Sequence, residues 1–187
     1  MRSSILTGEN TIQNRKADPM FYAIFAAALV ALDQIVKYLV RANIPLGGNV
    51  PFIPYLLDLT YVQNTGAAFS MLRSHTWVLT LTSTIVVLAM CALLVKGFFK
   101  NRLGLFSAAL VLAGGVGNLI DRVVFGFVTD MFQTTFMEFA VFNVADCCIT
   151  VGVPLMFLYV WLYVGRDGKK EEAQGDGAET GTDGETQ

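Results

Sequence analysis

FNVADCCITVGVPLMFLYVWLYV, residues 142–164, joins a polar head to a run of 18 residues, 147–164, that carries no charge. A helix needs roughly 20 apolar residues to cross a bilayer, so this stretch reads as a membrane span that begins beside an acid. Residues 20–40, 76–95 and 103–120 have the same character. With 15% charged residues and a mean hydropathy of +0.54, the chain departs far from soluble domains, for which about 25% charge is usual. The expected fold class is all-α membrane: four transmembrane helices with a small β-rich loop and a second loop on one side. The first span stands where a secretion signal would, but it lacks a small-residue cleavage site and holds Asp33 and Lys37. It is expected to be a retained helix.

The net charge of −2 conceals a split. Residues 167–187 hold seven acids and two bases, so the other 166 residues carry eight acids against eleven bases. The tail has almost no apolar content and is expected to be disordered and cytoplasmic. Residues 1–18 read as a polar cytoplasmic leader, and 19–166 as the membrane domain. Lys and Arg in short loops set orientation. Arg2, Arg15, Lys16, Lys96, Lys100, Arg102, Arg166, Lys169 and Lys170 fall on one side, against Arg41, Arg73 and Arg122 on the other. Both termini should face the cytoplasm, with loops 41–75 and 121–146 outside. Nothing in this pattern suggests a nucleic-acid partner; membrane lipids are the expected surroundings, and a monomer the expected state.

The three cysteines, Cys91, Cys147 and Cys148, all fall within spans and lack metal-ligand spacing. Adjacent cysteines diverge along a helix and rarely bridge, so small apolar packing is the expected role. His75 is the single histidine, which rules out a multi-histidine metal site in one chain. No metal and no cofactor are expected.

Polar residues carry more information here because an ionisable side chain at mid-bilayer costs roughly 2.5–3.5 kcal/mol on insertion scales. Asp33 and Lys37, at i and i+4, share one helical face as a self-neutralising pair or as a brace for an active centre. The loop from 41 contains Pro45, Pro51 and Pro54, then the β-prone run 57–62, read as a small sheet on the membrane surface. NTGAAFS, 64–70, offers the Asn64 amide or simply a turn. GGVGNLIDR, 114–122, permits close helix approach at Gly114, Gly115 and Gly117, and spaces Asn118, Asp121 and Arg122 on one face. Asp130 sits among apolar residues in VTDMF, 128–132, which disfavours its charged form. Asn143 and Asp146 have the spacing of a helix N-terminus, with Asn as cap and the acid at the positive dipole end.

These features converge at one depth. Asp130 and Asp146 flank the loop 121–146, and two carboxylates in a poorly hydrated pocket share a proton. One then deprotonates water while the other serves a carbonyl oxygen, which is equipment for amide hydrolysis. A small proton-coupled carrier is the alternative, since intramembrane carboxylates also relay protons. Carriers usually show internal repeats, and none is found.

DQIVK (33–37), NTGAAFS, GGVGNLIDR, VTDMF and FNVAD occur in an order and at separations similar to lipoprotein signal peptidase, or signal peptidase II. The resemblance covers roughly residues 20–165. It implies an aspartic endopeptidase of the bacterial inner membrane, cutting signal peptides from diacylglyceryl-modified prolipoproteins just before the lipidated cysteine. It also implies binding of globomycin-type cyclic peptides. Asp130 and Asp146 match the family's catalytic dyad. Asn64, Asn118, Arg122 and Asn143 match positions around the substrate, and Asp33, Lys37 and Asp121 match supporting positions. Met131, the EFAV run before Phe142, and the Cys147–Cys148 pair depart from the commoner pattern, which bears on loop shape rather than on the acids.

Overall fold

The computed structural model describes residues 18–66 and 76–164. The expectations for the leader, for the acidic tail and for most of NTGAAFS fall outside these residues. Among these residues, four helices are long and apolar enough to cross a membrane: α1 Pro19–Asn43, α2 Thr76–Val95, α3 Arg102–Phe125 and α4 Val144–Tyr159, which runs on through a π-helical turn, Val160–Val164. The protein is thus a multi-pass membrane protein. Three strands, β1 Asn49–Ile53, β2 Leu57–Asn64 and β3 Val128–Thr134, form an antiparallel sheet in that order.

Local signals set the helix ends. Asp18 caps α1 by accepting from the Met20 N–H, with Pro19 in the first turn, where its missing N–H costs nothing. Asn101 caps α3 through the Gly104 N–H, and Gly126 closes the helix with φ of 78°, a left-handed stop that favours glycine. Asn143 and Asp146 form a reciprocal capping box at the start of α4.

α3 is the central helix: most of its span is buried, whereas α2 buries only Met90. Glycines bring the neighbours close. A Cβ at Gly114 would meet the Ala145 carbonyl and the Ile149 side chain, and one at Gly117 would lie 2.7 Å from an Asp33 carboxyl oxygen. The expectation of close approach at Gly114, Gly115 and Gly117 is met, with Gly115 set against Val87 of α2. The outer faces of the bundle expose large apolar residues such as Ile35, Leu81, Ile85, Leu88 and Phe157; hydrocarbon accommodates such a belt and water does not.

Two elements differ from the sequence expectation. The third helix runs on past the expected span, 103–120, to Phe125, so Asp121 and Arg122 stand on it. The loop 121–146 also supplies a strand: β3 pairs with β2 from Leu57↔Thr134 to Asn64↔Val128. The run VTDMFQT has little period-2 signal, and only the exposed edge of β2 turns it into a strand. A register shift between Leu59 and Val62 bends this ladder at the point where β3 approaches the helix ends. The sheet therefore gathers the ends of α1 and α3 and the start of α4 at one end of the bundle.

Candidate active site

At this end two carboxylates face one cavity of about 480 Å³. Asp130 stands on β3, opposite Val62 in the sheet. Asn64, two residues along β2, shares its face as a diagonal neighbour, and its amide donates to Asp130 Oδ2 at 2.9 Å. Asp146 stands in the first turn of α4. Its Oδ1 accepts from the Asn118 amide at 2.7 Å and its Oδ2 from the Asn143 backbone N–H at 3.1 Å. Asn143 joins the two acids, because its side-chain amide donates to Asp130 Oδ1 at 2.6 Å. Its side-chain Oδ1 in turn accepts from the Asp146 N–H at 2.9 Å. All four carboxyl oxygens are thus held by amide donors, and each keeps a lone pair for water or substrate.

A buried ionic network supports this pair from α1. Asp33, Lys37 and Asp121 are each at most 1% exposed. Lys37 Nζ lies 2.9 Å from Asp33 Oδ2 and 3.4 Å from Asp121 Oδ2, and donates to Asn118 Oδ1 at 3.0 Å. That last bond fixes the Asn118 amide with its NH2 toward Asp146. Asp33 Oδ1 accepts from the Ala145 N–H at 2.9 Å, which pins the first turn of α4. Asp121 Oδ2 accepts from the Thr129 N–H at 2.8 Å, which pins β3 beside Asp130. None of Asp33, Lys37 and Asp121 lines the cavity.

Arg122 parts company with Asp121. It lines the cavity with both acids, and its Nη1 donates to Ser83 Oγ of α2 at 3.3 Å. The shared face expected for Asn118, Asp121 and Arg122 therefore splits, because adjacent positions on a helix point about 100° apart. Counting Lys37, Arg41 and Arg122 against Asp33, Asp121, Asp130 and Asp146, the group carries one excess negative charge when fully ionised. A single proton on the pair cancels it. Burial, reinforced by the Asp146 charge, lifts the Asp130 carboxyl to about 6, against the pull of its Asn64 and Asn143 hydrogen bonds.

All nine candidate residues gather in or behind this cavity. Gln34 and Arg41 belong to the network too, outside the nine residues expected from the sequence. Gln34 donates to the Gly117 carbonyl at 3.0 Å and to Asp33 Oδ2 at 3.1 Å. Arg41 donates to Thr129 Oγ1 at 2.8 Å. A signal existed for Arg41, which continues the i, i+4 face of Asp33 and Lys37. Among the cysteines, Cys148 packs in the interior as expected, but Cys147 is exposed and lines the cavity beside Asp146.

The remaining wall is apolar, with Phe139, Val141, Phe142 and Val151 among its residues. A pair of bridged carboxylates lining a cavity with an apolar wall suits hydrolysis of a bond presented from lipid. The alternative of a proton-coupled carrier finds no support in the relatives. The family model described as signal peptidase (SPase) II matches residues 25–162. A protein of Streptococcus thermophilus strain CNRZ 1066 named lipoprotein signal peptidase is 46% identical over 134 residues, 72% of this chain and 88% of that protein. One of the same name from Enterococcus faecalis strain ATCC 700802 / V583 is 45% identical over 141 residues, 75% and 88% of the two chains. Two solved bacterial membrane enzymes, determined by the in meso method at 2.3 and 1.9 Å resolution, each superpose with a TM-score of 0.72. They are 26% and 28% identical and cover 92% and 80% of this chain, and 98% of their own. The chain belongs to the signal peptidase II family and is a membrane-embedded peptidase.

Proposed function

We propose that this peptidase removes signal peptides from diacylglyceryl-modified prolipoproteins at the bond before the lipidated cysteine, with Asp130 and Asp146 as its catalytic pair. The observation that carries the proposal is the bridging of two cavity-facing carboxylates by Asn143. The relatives named lipoprotein signal peptidase supply the substrate class.

A water held between the acids loses a proton to the ionised carboxylate as its oxygen attacks the scissile carbonyl carbon. The protonated carboxyl donates to the carbonyl oxygen, giving a gem-diol. As it collapses, one gem-diol hydroxyl returns its proton to the carboxylate that had given one, C=O re-forms and the C–N bond breaks, and the proton taken from water passes to the leaving amine. The substrate's signal helix enters from the bilayer and leaves its acyl chains in lipid, while the apolar wall excludes bulk water. Asn64, Asn118, Arg122 and Asn143 orient the acids and substrate; Asp33, Lys37 and Asp121 brace them. The excess of Lys and Arg at the opposite end of the bundle supports an inner-membrane topology with both termini cytoplasmic and the site near the outer face. A globomycin-type cyclic peptide is expected to compete for the same cavity, and the unit of function is one chain.

The purified protein in lipid bicelles is expected to cut a diacylglyceryl-modified precursor and to leave the unmodified precursor intact. Equal cleavage of both, or none of either, overturns the proposal.

The pH profile follows from Asp130. Its carboxyl, near 6, loses the pair's proton as pH rises, so kcat/KM should fall on an alkaline limb that begins near pH 6 in the free enzyme. Removing a nearby cation disfavours the ionised form, so Arg122→Gln should move that limb to higher pH. A limb that stays put or moves down contradicts the assignment.

A further inference from the structure

Arg41 closes the last turn of α1 and has no place in the reaction as derived above. Its guanidinium makes three contacts: a 2.8 Å hydrogen bond to Thr129 Oγ1, a 3.9 Å ion pair with Asp121 Oδ1, and a stacked position 4.5 Å over the Phe125 ring. Thr129 is fully buried and immediately precedes Asp130. Its N–H is held by Asp121 and its hydroxyl by Arg41, so one residue is clamped on both its backbone and its side chain. The next residue along the strand bears the carboxylate.

The three charged residues of this α1 face each reach a different part of the pair's support. Asp33 holds the backbone of α4 next to Asp146, Lys37 holds the amide that binds Asp146, and Arg41 holds β3 next to Asp130. Asp146 rides on α4 and Asp130 on the sheet, so their separation depends on something rigid that touches both. The face of α1 does so.

We infer that Arg41 is a positioning residue that sets the placement of Asp130 relative to Asp146 through the hydroxyl of Thr129. The inference rests on the pairing of those two acids proposed above. Thr129 Oγ1 is the junction: valine there keeps the shape and removes the hydroxyl that accepts from Arg41. Lysine at 41 would keep the charge but lose the planar fork that stacks on Phe125 while donating to Thr129.

The test is steady-state cleavage of a diacylglyceryl-modified precursor by Thr129→Val, Arg41→Lys, Arg41→Gln and the Thr129→Val/Arg41→Gln double variant, each with a pH profile. A misplacement of about 1 Å costs on the order of 100-fold in rate, so Thr129→Val should lower kcat by about 10- to 100-fold with KM nearly unchanged. Its alkaline limb should shift, because the two carboxyls no longer share a proton at their native distance. The double variant should be no slower than Arg41→Gln alone, since both changes break one contact. Arg41→Lys should resemble Thr129→Val. Wild-type kcat and pH profile in Thr129→Val, or additive losses in the double variant, overturn the inference. Asp130→Asn, run alongside, separates the two ideas. If it is inactive while Thr129→Val is normal, only the role of Arg41 fails; if it is active, the pair itself fails.

Discussion

Asp130→Asn and Asp146→Asn are each expected to lower cleavage of a lipidated precursor by about 10³-fold or more, with the protein still folded. General acid–base catalysis contributes about 10²–10⁴-fold, and in the proposed mechanism one water must meet both acids at once. An asparagine can still accept a hydrogen bond but takes no proton from water and donates none as an acid. Asp130 loses least structurally, because a buried carboxylate lifted to about 6 is already costly to ionise and a neutral amide of the same shape relieves that cost. The folded state binds a proton there that the unfolded chain releases near pH 4. The group's stabilisation is therefore complete below about pH 4 and is lost as pH rises through 6, and Asp130→Asn should flatten that dependence. If the acids act together as proposed, the double Asn variant is expected to be no slower than either single one. Cleavage retained in either single variant, with the protein shown to be folded, sinks the catalytic pair.

Lys37→Met should have the largest effect on stability. The ammonium is fully buried, 2.9 Å from Asp33 and 3.4 Å from Asp121. Removing it leaves two buried carboxylates with Gln34 and the more distant Arg41 as their remaining polar side-chain neighbours. Breaking a buried pair by deleting one partner costs about 3–5 kcal/mol. Denaturant unfolding in detergent should show a loss of that order. Asp33→Asn in the same chain should recover part of it, since one orphaned charge is then gone. Activity should fall as well, because Asn118 loses the bond that turns its NH2 toward Asp146. An unfolding free energy within about 0.5 kcal/mol of wild type, inside the scatter of ordinary surface changes, would contradict the account of the network.

The sequence alone determined the membrane architecture and the start of α4. Spans follow from length and the absence of charge, and the Asn143–Asp146 cap follows from a three-residue spacing; both are local, so one stretch of chain suffices. It also supplied the motifs that tie the chain to its family, and it brought Asp130 to notice as an acid in apolar surroundings. Only the tertiary structure decided what Asp130 faces. Its bonds to Asn64 and Asn143 join residues 66 and 13 positions apart, and the first depends on β3 pairing with β2 in one register. A shift of one residue would turn Asp130 to the other face of the sheet. The parting of Asp121 and Arg122, and the recruitment of Gln34 and Arg41, have the same origin. Neighbours in sequence point apart on a helix, and which direction is buried depends on the helices packed around it.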